Sequence, residues 1–211
     1  KNNNEKVILV GHSMGSIFIN YFCMTKMTKE WRDKYIDSAV LLAPSLGGSF
    51  MTFYVLWSKM FPFLSVLGAY PDSAPKIGGV NIHMPNFEMW GDKVLYTDEN
   101  GQKFTAKDLK KILASNGKFD DIDVLKIFEM NENFSHNIPP PFDFPVSIVY
   151  NDALGTIQSL DRSTKEDVYS YGKGDLLINA EGIDFLCNKW NTTYEVDCLN
   201  VRHIYPTANH L

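Results

Sequence analysis

Five residues near the start of the chain, Gly11-His12-Ser13-Met14-Gly15, have the types and spacing of a serine nucleophile held on a tight turn. A serine hydroxyl attacks a carbonyl only if its Oγ stands clear of the backbone, and a G-x-S-x-G run achieves this at a strained strand-to-helix corner. Bulky side chains two residues before and two after would meet neighbouring backbone, so glycine is expected at 11 and 15. The following helix aims its first N–H groups at the oxyanion that forms on attack, and the N–H of Met14 is the expected donor. Composition alone would produce the pattern about 0.07 times in a chain of this size, taking Gly and Ser at about 7% each. Its setting gives it weight. Apolar Val7-Ile8-Leu9-Val10 stands immediately before it, and Ile17, Phe18, Tyr21 and Phe22 follow at helical spacing.

A serine needs a base, and the base needs a carboxylate to orient it, in the order Ser, Asp, His for this kind of turn. Five histidines compete. His83 and His136 precede either candidate acid, which is the wrong order. His12 occupies a variable position of the turn, and its side chain is expected to point away from the attack site. His203 lies in an apolar run that reads as a strand, where side chains are packed rather than presented. His210 follows Pro206 in a polar loop, where the base belongs. Two acids also compete: Asp152, after the apolar run Val146 to Tyr150, and Asp175, between Gly174 and Leu176-Leu177-Ile178. Spacing alone leaves both open.

These groups must be positioned by regular elements. Val7 to Val10 is β-branched-rich and fully apolar, and predicts a strand buried on both faces, as in a parallel sheet. A helix follows the turn, Trp31 to Asp37 reads as a helix end or loop, and Ala39 to Ala43 is a second strand. The first fifty residues therefore read as one βαβ unit. The rhythm is then lost. Residues 51–141 combine an aromatic, Met-rich stretch, a turn at Asp98-Glu99-Asn100-Gly101, and helices over Thr105 to Asn116 and Asp121 to Met130. This predicts a cap inserted over the sheet, closed by the stiff Pro139-Pro140-Pro141. Residues 142–211 return to the sheet, with strands at Val146 to Tyr150 and Val201 to Tyr205, a hairpin arm at Asp167 to Tyr171, and a helix over Asn179 to Phe185. The run Met51, Phe53, Tyr54, Leu56, Trp57, Met60, Phe61, Phe63 reads equally as an acyl groove or lipid-facing surface and as ordinary cap core.

Composition removes several functions. The 211 residues are 45% hydrophobic and 21% charged, enough for one good core with a subdomain and too polar for a membrane bundle. Twenty Lys and Arg against 25 Asp and Glu, with no basic run, argue against a nucleic-acid partner. Lys59 and Pro62 break the most apolar stretch, so no spanning helix is expected there. The three cysteines and five histidines show no zinc spacing, and neither metal nor cofactor is expected. Cys187 and Cys198 could form a disulfide, leaving Cys23 odd. Together with the sequons Asn133-Phe134-Ser135 and Asn191-Thr192-Thr193, this favours the secretory route, ending outside the cell or in a lysosome-like or vacuolar lumen. The opening Lys1-Asn2-Asn3-Asn4, with neither initiator Met nor signal peptide, reads as a loop or a cut end.

Beyond the motif, the sequence resembles the family of lecithin:cholesterol acyltransferase and lysosomal (group XV) phospholipase A2. His12-Ser13-Met14-Gly15 carries the resemblance, as do Tyr21-Phe22, Trp31-Arg32-Asp33-Lys34-Tyr35-Ile36, Leu42-Ala43-Pro44 and Gly47-Gly48-Ser49. After Pro44 the family has Trp, where Ser45-Leu46 stands here. Pro85-Asn86-Phe87-Glu88-Met89-Trp90-Gly91-Asp92 resembles the family's cap. Gly174-Asp175-Leu176-Leu177-Ile178 falls on the family's G-D-G/D-T-V and selects Asp175 as the acid, while Asn209-His210-Leu211 resembles the family's S/Q-H-I/L and supports His210. Leu186-Cys187-Asn188-Lys189-Trp190 resembles a segment with a disulfide cysteine. The family's partner would fall within Val146 to Tyr150, which has none, so Cys198 is the expected substitute.

The resemblance implies an α/β-hydrolase of which 1–211 is the C-terminal portion of a mostly parallel sheet, with a cap insertion. It implies phospholipase A or acyltransferase chemistry on glycerophospholipids at a lipid surface, through an acyl-serine on Ser13. It further implies that the strand before the turn is normally central, so a separate N-terminal fragment of the same precursor is expected to pack against this chain. Two other readings stand beside it: a hydrolase of neutral esters or thioesters on the same fold, and a lipid-binding pseudoenzyme.

Overall fold

A computed structural model of the chain describes residues 5–58, 76–115, 126, 129–190 and 196–210. The expectations that fall on Met60, Phe61, Phe63, most of the predicted helix from Asp121 and the sequon at Asn191 lie outside these residues. In chain order, β1 (Val7–His12) leads into α1 (Met14–Tyr21), a π-helical turn at Phe22–Lys26, α2 (Lys29–Tyr35) and β2 (Ile36–Leu42). Next come α3 (Phe50–Ser58), the single turns α4 (Gly78–Asn81) and α5 (Phe87–Trp90), and the short strands β3 (Tyr96–Thr97) and β4 (Lys103–Phe104). A 3-10 turn at Ala106–Asp108 opens α6 (Leu109–Ser115), and α7 (Glu132–His136) follows. The last part holds β5 (Val146–Tyr150), β6 (Leu154–Asp161), β7 (Val168–Gly174), α8 (Ala180–Trp190) and β8 (Val196–Asn200). Among the described residues, no helix is long and apolar enough to cross a membrane.

The chain divides into two compact units: residues 1–46, 139–155 and 173–211, and residues 47–138 and 156–172. The first contains an all-parallel sheet in the order β1-β2-β5-β8. Its register puts Leu9, Ala39, Leu41, Val146, Ile148 and Val196 on one face, where all but Leu9 are buried. The opposite face carries Ile8, Val10, Leu42 and Leu199, all exposed. Ile8 and Val10 are 59% and 64% exposed, so β1 is not buried on both faces as its composition suggested. β1 is an outer strand, and a run of apolar residues cannot distinguish a covered face from a bare one. Trp31 to Asp37, read as a helix end or loop, holds most of α2, whose N-cap Thr28 accepts the Trp31 N–H. The prolines that close the insertion belong to this unit. Pro139 O accepts from Trp190 Nε1 and Pro140 O from the side-chain amide of Asn20.

The second unit packs its own core: Phe50, Phe53 and Leu56 of α3 against Trp90, Leu109, Leu113 and Leu160. The described part of the aromatic stretch is therefore largely core. Asn86 organises this unit, capping α5 through Oδ1 while its amide donates to Phe134 O and Asn137 O. Thr105 and Asp108 form a reciprocal capping box ahead of α6, at the predicted helix start. A second sheet runs β4-β3-β6-β7.

Other boundaries also differ from the expectation. Residues 156–172, assigned by sequence to the core carrying acid and base, fall in the second unit, because β6 pairs with β3 (Tyr96 with Leu160, Thr97 with Asp161). Long-range pairing of this kind leaves no local signature. The last strand is Val196–Asn200, not Val201 to Tyr205. The Val201 N–H bonds Tyr150 O, and the chain then turns, with the Ile204 and Tyr205 N–H groups both returning to Val201 O. Ile204 and Tyr205 are exposed, so their apolar character does not mark a strand.

Candidate active site

The corner between β1 and α1 holds Ser13 at φ 52° and ψ −121°, a conformation that costs an L-residue about 1–3 kcal/mol. The Ser13 N–H donates to Leu42 O at 2.9 Å, which fastens the corner to β2. Gly11 is required by space: a Cβ there would lie 2.7 Å from Ile19 Cδ1 and 3.0 Å from the backbone of Gly15 and Ser16. Gly15 is different. A Cβ at that position would meet nothing within 4 Å among the described residues, so the steric demand expected on both sides of the serine falls on the first glycine alone. Ser16 Oγ donates back to Gly11 O, tying the first turn of α1 to the end of β1.

The structure brings Ser13, His210 and Asp175 together. His210 Nε2 lies 2.6 Å from Ser13 Oγ, and its Nδ1 lies 2.9 Å from Asp175 Oδ2. An ionised carboxylate only accepts, so Nδ1 carries the proton and Nε2 is left to accept from the serine hydroxyl. His210 and Asp175 are both buried. Asp175 is fixed in turn. Its Oδ1 accepts the N–H groups of Leu177 and Ile178, and its carbonyl accepts the His210 N–H. Leu176, within this turn, has φ 84°.

The rival candidates are otherwise engaged. Asp152 is buried, with both oxygens taken by Arg202 Nη1 at 3.1 and 2.9 Å and Lys173 Nζ at 3.7 Å. Burial by itself would raise its pKa, but Asn200, Arg202 and Lys173 together hold it below the ordinary carboxylate range. His203 is exposed in the turn after β8. In the second unit, His83 pairs with Gly79 O and His136 with Glu132. His12 does not point away as expected: its Nε2–H donates to His210 O at 2.9 Å, and the two rings lie 5.1 Å apart. The sequence gives no signal for this contact, nor for that of Asn151, whose amide reaches the loop that carries His210. Cys187 and Cys198 are joined in a disulfide between α8 and β8. Cys23 is a buried thiol, pushed up by desolvation.

The chain is similar to several known proteins. The bovine lysosomal phospholipase A and acyltransferase is 24% identical over 193 residues, covering 87% of this chain and 45% of that protein. The human protein of the same name is 25% identical over 216 residues, covering 96% and 50%. The chicken phosphatidylcholine-sterol acyltransferase is 23% identical, covering 88% and 45%. The chain thus spans about half the length of these relatives. Among solved structures, a chain of the Tle4-Tli4 complex superposes with a TM-score of 0.61 over 92% of this chain and 53% of its own, at 10% identity, which is a likeness of fold. The fold is that of an α/β-hydrolase with a cap insertion. The family model for lecithin:cholesterol acyltransferase matches residues 1–139, which include the serine corner, and the chain belongs to that family.

Proposed function

We propose that this chain carries the catalytic serine, acid and base of a phospholipase A or acyltransferase acting on glycerophospholipids. The observation that carries the reading is the relay from Asp175 through His210 to Ser13, closed at 2.9 and 2.6 Å. Ser13 Oγ attacks the ester carbonyl while its proton passes to His210 Nε2, and Asp175 stabilises the imidazolium that forms. The N–H of Met14, at the start of α1, donates to the oxyanion. Collapse of the tetrahedral adduct leaves an acyl-serine and a lysophospholipid, the leaving alkoxide taking the proton from His210. Water or an alcohol then enters through the same base and releases a fatty acid or a new ester. The choice of phospholipid rests on the relatives' names, which join phospholipase A with acyltransferase and phosphatidylcholine with sterol.

A second polypeptide segment from the same precursor is the proposed cover for the outer strand β1, supported by the exposure of Ile8 and Val10. The Cys187–Cys198 bond supports passage through an oxidising, secretory compartment. The test is fatty-acid release from phosphatidylcholine vesicles and from a soluble ester, with Ser13→Ala alongside. The reading expects vesicle activity that falls by more than about 10⁴-fold in Ser13→Ala. Activity confined to the soluble ester would move the substrate to neutral esters or thioesters. A Ser13 that no fluorophosphonate labels would leave a lipid-binding pseudoenzyme.

A further inference from the structure

We propose that Asn151 is a positioning residue for the base: its side-chain amide clamps the loop that carries His210, and so sets the distance from His210 Nε2 to Ser13 Oγ. The inference rests on the proposed roles of Ser13 and His210. His210 is ten residues beyond β8, which ends at Asn200. The intervening residues 201–209 belong to no strand, and only the first of them, Val201, bonds the backbone of β5. Their local turns, Tyr205 N–H to Val201 O and Ala208 N–H to Tyr205 O, bond the loop to itself and do not fix where it lies.

Asn151 follows the last residue of β5 and is 6% exposed. Its Nδ2 donates to Tyr205 O at 3.2 Å and to Ala208 O at 2.7 Å, receiving the carbonyls at either end of the last turn before His210. Its Oδ1 accepts the Ala153 N–H at 3.0 Å. These partners fix the orientation of the amide. The flipped form would set its oxygen against two carbonyls and its NH2 against a backbone N–H. The rigidity of a parallel strand is thereby carried across to residues 205–208, two positions short of the base.

Neighbouring contacts act in the same direction. The Val201 N–H bonds Tyr150 O, and Arg202 pairs with Asp152, so three consecutive residues at the end of β5 grip the loop at its start and near its end. Asn151 alone of the three holds the part next to His210. An aspartate of the same shape would have no hydrogens to offer and would set a carboxylate against two carbonyl oxygens.

Misplacing a reacting group by about 1 Å costs on the order of 10²-fold in rate, and this scales the test. Wild type, Asn151→Ala and the isosteric Asn151→Asp are titrated with a fluorophosphonate that esterifies Ser13, recording both the final labelled fraction and the rate constant at pH 7.5. A positioning role predicts full final labelling with a rate constant lower by about 10–100-fold in both variants, and a kcat on ester substrate that falls in step while KM changes by less than about threefold. A merely structural role would instead reduce the final labelled fraction and leave the rate constant of the labelled molecules unchanged, which overturns the proposal. So does an Asn151→Asp variant that reacts at the wild-type rate, since volume rather than donation would then be what matters. Wild-type protein that fails to label at Ser13 overturns the underlying reading of Ser13 and His210 instead, so the two failures are distinguishable.

Discussion

Asp175 and Asp152 are both buried carboxylates in loops of the same unit, and their partners separate them. Asp175 gives one oxygen to His210 Nδ1 and the other to two backbone N–H groups, whereas Asp152 is neutralised by Arg202 and Lys173. Asp175→Asn replaces an acceptor by a donor at Nδ1 and favours the wrong imidazole tautomer. It is expected to lower kcat by about 10⁴-fold, while Asp152→Asn stays within about tenfold of wild type. Equal losses in the two variants, measured on purified folded proteins, would contradict the assignment. The residues also differ in how far they could be read. The serine corner was legible because strand, glycine, serine and helix are contiguous, and the corner conformation needs little from elsewhere. The proposed acid was not, since nothing near Asp152 in the sequence announces Arg202, and the choice of Asp175 came from a family motif. Among the described residues, three non-glycine residues have positive φ: Ser13 at the corner, Ala43 just after β2, the partner of β1, and Leu176 in the turn that holds Asp175. Such strain persists where surrounding structure over-determines it, and it is invisible in the sequence at Ala43 and Leu176.

At the scale of elements, α2 shows what local reading misses. Arg32 is 8% exposed, with Nε and Nη2 both on Asp143, at 2.8 and 2.5 Å, and Nη1 on Cys23 O and Met27 O. One guanidinium therefore ties α2 to the π-helical turn after α1 and to the segment that enters β5. The sequence offers Arg32 only as one charge in a polar stretch, and its partner comes more than a hundred residues later. Arg32 beside Asp143 holds that carboxyl below the ordinary range. A depressed folded pKa contributes stability above the unfolded carboxylate value and loses it as pH falls through the folded one. Asp143→Asn leaves a buried guanidinium without its counter-ion, at an expected cost of about 3–5 kcal/mol in urea unfolding at pH 7. The gap between variant and wild type should narrow as the pH is lowered into the acid range, because wild type then protonates the same carboxyl. A gap that stays constant with pH would show that packing around residue 143, not its charge, matters.

At the scale of the whole molecule, the cap insertion and the parallel sheet were readable from the breaks in hydrophobic rhythm, but not which side of the sheet is covered. That property depends on side chains far apart in sequence. The register aligns Val10 with Val40 on β1 and β2, and Leu42 with Val149 and Leu199 on β2, β5 and β8, so apolar residues from all four strands share one face. Ile8, Val10, Leu42 and Leu199 on it are exposed. Parallel sheets are normally covered on both faces, and a bare apolar face of this kind favours association. The chain alone is therefore expected to self-associate as its concentration rises, with light scattering giving a mass above the 24.0 kDa of one copy. Ile8→Lys with Val10→Lys places two charges on the most exposed part of that face and should restore a single-copy mass, without moving Ser13, whose corner is held by Leu42 O and by the packing at Gly11. If wild type keeps a single-copy mass at every concentration, the face is tolerated bare. If the double variant associates as strongly as wild type, contacts elsewhere on the molecule are responsible. Fluorophosphonate labelling of the same samples separates the two properties, because the relay at Ser13 lies at the carboxyl end of β1 and the lysines enter nearer its start.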